Sequence, residues 1–561
     1  MKKLNGSQMI IEALNLEGVN VVFGYPGGAA LNIYDEIYKQ NKFTHILTRH
    51  EQAAVHAADG YARASGKVGV ALVTSGPGFT NAVTGIATAY ADSIPLILIS
   101  AQVGTPLIGS DAFQEIDAVG ISRPCVKHNY LVKDINELPR ILKEAFYIAR
   151  SGRPGPVHID IPKDITAAVA NFEYPKEINM PTYKPTIKGH AYQIKKACEA
   201  IKNSQKPIVY IGGGAVSSGA SEEIRKFIKN NKIPAIMTLM ALGVIDSKDP
   251  LSLGMVGMHG SYAANMALSQ TDLIICFGAR FDDRVTGNLN EFAKNAKVIH
   301  VDIDPSSIGK IVSVDYPIVG DLKSVVTDIN AKLLVQNDNF KDWRNQIEIF
   351  KKLHPLGFKD NAKVIKPQWV VSETAKIVGD EAIIATDVGQ HQMWVAQFYP
   401  FNRPRQLLTS GGLGTMGFGL PAAQGASHTC DDKKTPVVAF SGDGGFLMNI
   451  QELMTLKATN KRVINIVMNN NFLGMVRQWQ TSFYEKRYSQ TDLSSQPDFA
   501  KIAEGFGALG FSVSTKDEFK KALKKALASD KTSVIEVKVD RFENVLPMVP
   551  AGAAIYNMML E

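Results

Sequence analysis

Cysteine is scarce in this chain. Cys125, Cys198, Cys276 and Cys430 are scattered over 561 residues with no CxxC pair. That spacing argues against a disulfide framework or a cysteine zinc site and for a reducing compartment. Long apolar runs are missing as well. None approaches the about 18 residues of a membrane-spanning helix. The first residues, "MKKLNGSQMIIEALNLEGVN", carry two lysines but no apolar core of signal-peptide length. They read as Ser7 capping an amphipathic helix that stops at Gly18. A cytoplasmic protein is expected. Blocks of like charge, short tandem repeats and low-complexity segments are also absent. The net charge of +7 is spread among interspersed acids and bases, so nothing resembles a nucleic-acid-binding arm. A modest positive excess suits anionic cofactors and carboxylate substrates.

Glycine is plentiful, with 46 residues, as expected of a chain with many tight strand-to-helix turns. Strand-like runs alternate with helical patterns: "VGVALVTSGPG", "IPLILISA", "KPIVYIGGG", "DLIICFGAR", "KVIHVDID", "PVVAFSGDGG" and "VINIVMNNN". Most are continuous and β-branched, the pattern of strands buried on both faces in parallel sheets. The fold class is α/β. Residues 171–190 and 353–367 are proline-bearing and aperiodic, and read as linkers. They divide the chain into three expected domains at 1–170, 190–340 and 367–561.

"SGDGGFLMNIQELMTLKATNKRVINIVMNNNFLGM" (441–475) carries the first chemical signal. A buried strand leads into a GDGG turn. A helix with Ile450, Leu453, Met454 and Lys457 at helical spacing follows, then a second strand ending in Asn469–Asn471. A parallel crossover brings both loops to the carboxyl edge of the sheet, where α/β proteins bind ligands. Asp443 and Asn470 then meet as a carboxylate and an amide oxygen, the hard donors that Mg²⁺ takes together with phosphate oxygens. Gly442 and Gly444 let backbone N–H groups face a diphosphate.

GDG followed by an Asn-Asn pair resembles the thiamine-diphosphate signature. Other segments narrow the resemblance: "YPGGAALNIYD" (25–35), "RHEQAAVHAADGYARASGKVGV" (49–70), "SDAFQEIDAVGISRP" (110–124), "GRPGPVHIDIPKD" (152–164), "ARFDDRVTG" (279–287), "DVGQHQMW" (387–394), "GGLGTMGFGLPAA" (411–423) and "GMVRQWQ" (474–480). Together they resemble the catalytic subunits of the acetohydroxyacid synthase (acetolactate synthase) family over essentially the whole chain. The resemblance implies three doubly wound parallel-sheet domains: pyrimidine-binding, FAD-binding, and diphosphate- and Mg²⁺-binding. It implies that Glu51 hydrogen-bonds the aminopyrimidine ring nitrogen and favours its imino tautomer, that Met416 props the cofactor bent, and that Gly27 and Gly28 lie beside the reacting carbon. The third metal ligand would be the backbone carbonyl of Phe472, where the family often has an acidic or small polar residue. Glu51 would come from one subunit and the diphosphate site from another, so a homodimer or homotetramer is implied.

A glycine cluster after a strand, Gly212, Gly213 and Gly214, and Asp302 at a later strand end match FAD-contacting segments. So do Arg153, Thr238, Leu239, Met258, His259, Gly278, Arg280, Asp282, Arg284, Val285 and Asp321. For the substrate, the resemblance points to Phe113, Gln114 and Lys163 at the pocket mouth, with Arg284 as carboxylate partner and Trp479 as the wall favouring the larger acceptor. Gly104 replaces a frequent proline there. The implied activity is decarboxylation of pyruvate and ligation of the hydroxyethyl unit to pyruvate or 2-ketobutyrate. The products feed valine, leucine and isoleucine biosynthesis. A small regulatory subunit is the implied partner. The rival readings are a pyruvate oxidase-like flavoenzyme, opposed by Arg-Phe-Asp-Asp-Arg and Trp479, and a non-catalytic scaffold, opposed by Glu51, Asp443 and Asn470.

Overall fold

The continuous β-branched runs form the middle of three six-stranded sheets, each with only parallel neighbours, in a computed structural model that describes residues 2–333, 338–431 and 434–560. The first sheet runs Thr44–Leu47, Val21–Gly24, Gly69–Val73, Leu96–Gln102, Pro156–Pro162, His128–Leu131. Its four inner strands are buried on both faces. Val70, Leu72, Ile97 and Ile99 meet the helices Gly6–Leu16 and Leu138–Arg150 on one side. Ala71, Val73, Leu96 and Leu98 meet Glu51–Ser65 and Pro77–Ala91 on the other.

The last sheet runs Leu407–Leu408, Ile383–Thr386, Val437–Gly442, Ile464–Asn469, Ser533–Lys538, Leu509–Val513. Numbered within each sheet by chain order, both follow 2-1-3-4-6-5. In each, the helix between the second and third strands packs against its counterpart: Glu51–Ser65 lies on Gly419–Ser427. The contact is reciprocal. A Cβ on Gly60 would stand 2.2 Å from the Ala422 carbonyl oxygen, and one on Gly425 would stand 1.8 Å from that of Ala57. Glycine at these two positions lets the helices touch backbone to backbone.

The middle sheet runs Ser252–Met255, Ala235–Met237, Pro207–Ile211, Leu273–Phe277, Lys297–Asp302, Tyr316–Val319. Its order, 3-2-1-4-5-6, is that of doubly wound dinucleotide-binding sheets. A small antiparallel pair, Lys2–Asn5 with Val169–Phe172, closes the first region.

Two local expectations are corrected. Asn5 caps the first helix, in a reciprocal capping box with Gln8. Ser7 is already inside the helix and donates to the Thr166 carbonyl. The crossover after Asp443 is not one helix but two, Asp443–Met448 and Glu452–Ala458. Its buried face carries Leu453 and Leu456, while Met454 is exposed. No helix among the described residues is long and apolar enough to cross a membrane.

Candidate active site

In open α/β sheets, ligands bind at the carboxyl edge where strand order reverses. In the first sheet that switch lies between Val21–Gly24 and Gly69–Val73. The segment after Gly24 carries Gly27 and Gly28. A Cβ on Gly27 would lie 2.5 Å from Thr74 Cγ2, so glycine there keeps the two loops together. A Cβ on Gly28 would meet nothing within 4 Å, which leaves that backbone open on one side. Glu51 opens the helix Glu51–Ser65. Its Oε2 accepts from Asn81 Nδ2 at 3.0 Å and lies 3.3 Å from His50 Nδ1. Burial pushes its carboxyl up, but the contacts from His50 and Asn81 outweigh burial and hold it below the usual value.

The switch in the last sheet lies between Ile383–Thr386 and Val437–Gly442. Asp443 begins a helix directly after the second of these strands. Gly442 pairs with Met468 on the next strand, so Asn469 and Asn470 emerge beside it. Asn470 donates to Gln390 Oε1 at 3.3 Å and accepts from the Phe472 N–H at 3.0 Å. Asn471, at φ 55°, turns the chain there. The Phe472 ring packs against Tyr488 and Phe542 with the Arg541 guanidinium 4.3 Å from its centroid. The Phe472 side chain thus has a packing role.

Asp443 is buried, and burial pushes its carboxyl up to about 7 against the pull of neutral donors: backbone N–H groups and Gln496 Nε2 at 2.9 Å. A buried carboxylate held only by neutral donors lacks a counter-charge. A divalent ion supplies one, and the donor set of carboxylate and amide oxygen suits Mg²⁺. The phosphate side fits as well. His391 is buried with Nε2 unpartnered, and burial drops its imidazole to about 4, so it is neutral. A Cβ on Gly442 would lie 3.1 Å from its Nδ1, and one on Gly444 would lie 2.9 Å from Leu473 Cδ2. Met416 is half-buried, and its Cε stands 3.8 Å from that same Gly444 position. The segment carrying Met416 is therefore next to the Asp443 turn.

Other predicted residues remain apart within one chain. Phe113 is 88% exposed. The Gln114 backbone, at φ 60°, abuts Gly76. Lys163 starts the short helix Lys163–Ala167. Trp479 sits on the helix Gly474–Phe483, edge-on to Phe483 at 5.5 Å. Among the described residues, no hydrogen bond, ion pair or ring contact joins Phe113, Gln114 or Lys163 to Trp479 or Arg284. The same holds between Glu51 and Asp443, Asn470 or Met416.

In the middle sheet, Gly212, Gly213 and Gly214 follow the first strand, at its switch point. Gly212 and Gly214 pack on the Gly278 turn, where added Cβ atoms would come within 2.3 Å and 2.8 Å of it. Thr238 and Leu239 begin the turn after the neighbouring strand Ala235–Met237. Arg280 reaches the Ala91 carbonyl at 3.1 Å and Asp282 at 3.1 Å. Arg153 reaches Ser93 Oγ at 2.8 Å and Asp304 at 3.3 Å. These two arginines bring the first region to the edge of the middle sheet. Asp282 and Asp321 cap helices, Asp302 accepts from the Asp304 N–H, and Val285 is core. Met258 bonds Arg284 and Val549 through its backbone, and buried His259 lies 3.3 Å from the Pro547 carbonyl. Burial drops the His259 imidazole to about 4. Arg284 is exposed beside Asp283, at 3.8 Å.

Asn81, Gln390, His391 and Gln496 contact or adjoin the site and were not singled out from the sequence. Two of them lie in "DVGQHQMW", whose polar run was the available signal. Gln496 sits in an aperiodic loop that gave none.

The two matching sheets, each with polar residues at its switch point, and the dinucleotide-type sheet between them define a three-region cofactor enzyme. Residues 4–121 match the family model of the N-terminal TPP binding domain of thiamine pyrophosphate enzymes. Residues 194–329 match the central domain, and 387–537 the C-terminal TPP binding domain. The chain is 49% identical to the acetolactate synthase large subunit of Haemophilus influenzae, covering 100% of this chain and 99% of that one. It is 46% identical to the acetolactate synthase isozyme 3 large subunit of Escherichia coli K12, over 100% and 99%. It is 48% identical to a probable acetolactate synthase large subunit of Methanocaldococcus jannaschii, over 99% and 95%. The chain belongs to the acetolactate synthase large-subunit family of thiamine pyrophosphate enzymes.

Proposed function

We propose that the chain decarboxylates pyruvate and ligates the two-carbon unit to a second 2-ketoacid, giving 2-acetolactate from pyruvate and 2-aceto-2-hydroxybutyrate from 2-ketobutyrate. This is the first common step of branched-chain amino acid biosynthesis. The observation that carries the reading is the placement of Glu51 at one switch point and of Asp443 with Asn470 at its topological equivalent. When bound, thiamine diphosphate supplies an acidic ring carbon and an electron sink for decarboxylation.

The protein's residues do the rest. Glu51 holds and returns a proton at the aminopyrimidine ring nitrogen. Asp443, Asn470 and the Phe472 carbonyl hold Mg²⁺, and Gly442, Gly444 and His391 line the diphosphate. Met416 is an apolar wedge between the cofactor rings. Gly27 and Gly28 let backbone approach the reacting carbon. The middle sheet binds FAD at Gly212–Gly214 with Arg153, Arg280 and the residues after Ala235–Met237, and its strand order supports that assignment. The three domains are taken as 1–170, 190–340 and 367–561. Phe113, Gln114 and Lys163 come from a second copy of the chain and face Trp479 and Arg284 across a homodimer. Exposed Tyr25, Leu31 and Leu47 flank Gly27 and Glu51, and exposed Leu447 and Met448 follow Asp443. Apolar surface at both halves of a site supports burial by a second copy. The names of the relatives, large subunits, support a smaller regulatory partner.

Incubation with pyruvate, Mg²⁺, thiamine diphosphate and FAD is expected to yield acetolactate, and added 2-ketobutyrate the mixed product. Acetate with flavin bleaching and no acetolactate would overturn this reading in favour of an oxidase.

A further inference from the structure

Residues 409–418 lie between the short strand Leu407–Leu408 and the helix Gly419–Ser427 and have no helix or strand of their own. They include Gly411, Gly412, Gly414 and Gly417, a composition that leaves backbone loose unless something holds it. Two buried carboxylates do so, one on each side of Met416. On the far side, Asp387 accepts the Gly417 N–H at 3.0 Å and the Gly419 N–H at 3.2 Å. On the near side, Asp92 accepts the Gly411 N–H at 3.0 Å and the Gly412 N–H at 2.7 Å.

Asp92 belongs to a different region of the chain. It is the residue that ends the helix Pro77–Ala91. Its side chain is 2% exposed and is paired with Arg63 at 2.9 Å. Arg63 in turn donates to the Thr409 carbonyl at 2.8 Å. One turn back from Asp92, Thr88 Oγ1 meets Thr415 Oγ1 at 2.7 Å. The N-terminal helices therefore grip this segment at residues 409, 411, 412 and 415, up to the residue before Met416. A Cβ on Gly412 would lie 2.9 Å from Asp92 Oδ1 and from the Ala91 carbonyl, so glycine there admits the carboxylate.

We propose that Asp92, oriented by Arg63, is a positioning residue that sets Met416 for cofactor binding from the opposite end of the molecule's sequence. The inference rests on the reading of Met416 as the cofactor wedge. Two charge-assisted bonds to adjacent amides fix the chain direction at Gly411–Gly412, and Asp387 fixes it again at Gly417. Between these pins Met416 has little freedom, so loosening one pin misplaces its side chain without touching it.

The test compares Asp92→Asn, Thr88→Val and Met416→Ala in the full-length protein. Folding is checked by circular dichroism. Amide hydrogen exchange of peptides spanning 409–417 is measured without cofactor. Binding of thiamine diphosphate with Mg²⁺ is measured by tryptophan fluorescence. Asp92→Asn is expected to speed exchange in that segment and weaken binding about tenfold, the effect of one lost charge-assisted bond. Thr88→Val, which removes no charge and serves if Asp92→Asn fails to fold, shifts both in the same direction by less. Unchanged exchange in both variants, or faster exchange with unchanged cofactor affinity, would overturn the proposal. Met416→Ala separates the two layers: if it binds cofactor like the parent protein, the reading of Met416 falls, and the positioning role with it, whatever the exchange data show.

Discussion

Glu51 carries the most at the scale of single residues. Its amide analogue cannot exchange a proton, yet it keeps size and one acceptor for Asn81. Glu51→Gln is expected to lower kcat by about 10²–10⁴, the span of general acid–base catalysis, with the melting temperature unchanged. Steady-state carboligation beside a melting curve checks both halves. Asp443→Ala is expected to abolish Mg²⁺-dependent binding of thiamine diphosphate, read by equilibrium dialysis, because it removes the charged oxygen donor. A third residue bears on pH. Asp160 is buried with Ser100 Oγ at 2.5 Å and Gln102 Nε2 at 3.0 Å, and burial pushes its carboxyl up to about 7. Its folded value lies above its unfolded one, so its contribution is fully present below about pH 4 and is lost as pH rises through about 7. Between pH 5 and pH 8, the melting temperature of Asp160→Asn should move upward relative to the parent protein. A constant gap across that range would show that Asp160 does not titrate there.

Elements explain what was and was not legible. The central strands of all three sheets were readable because both faces are buried, which writes a continuous β-branched run. The edge strand Thr44–Leu47 was legible in "FTHILT", whereas Leu407–Leu408 is only two residues long and leaves no pattern. Asp443 and Asn470 were readable because a crossover is local in sequence. Gln496 and Asn81 were not, because each is a lone amide with no period and no neighbouring motif residue to mark it. Asn5 was overlooked because Ser7 is an equally good cap by residue type; the buried bond from Ser7 to Thr166 is a tertiary contact. The packing of the helices Glu51–Ser65 and Gly419–Ser427 was not legible, because a glycine inside a helix does not say what approaches it. Their close approach makes a prediction. Gly425→Ala would place a methyl 1.8 Å from the Ala57 carbonyl oxygen, and overpacking of this kind costs about 1–3 kcal/mol. The melting temperature should fall. Carboligation should fall with it at permissive temperature, because one helix begins with Glu51 and the other follows the Met416 segment.

Across the whole molecule, the equivalence of the first and last sheets gives the site its logic. Each presents one switch point, and a cofactor with two chemically different ends needs two. Among the described residues of one chain, no hydrogen bond, ion pair or ring contact joins Glu51 to Asp443, Asn470 or Met416, and exposed apolar residues flank both switch points. If two copies pair so that the first sheet of one faces the last sheet of the other, each dimer holds two composite sites. That arrangement can be tested with two inactive variants. Glu51→Gln spoils the proton-handling half and Asp443→Ala the metal half. Unfolded and refolded together in equal amounts, they form mixed dimers in which one site carries both lesions and the other carries neither. Random pairing makes half the dimers mixed, so activity should return to about a quarter of the parent value. If both halves of a site came from the same chain, every site would keep one lesion and no activity would return. Mixing the folded variants without dissociation distinguishes exchange from contamination, since activity should then appear only as fast as subunits exchange.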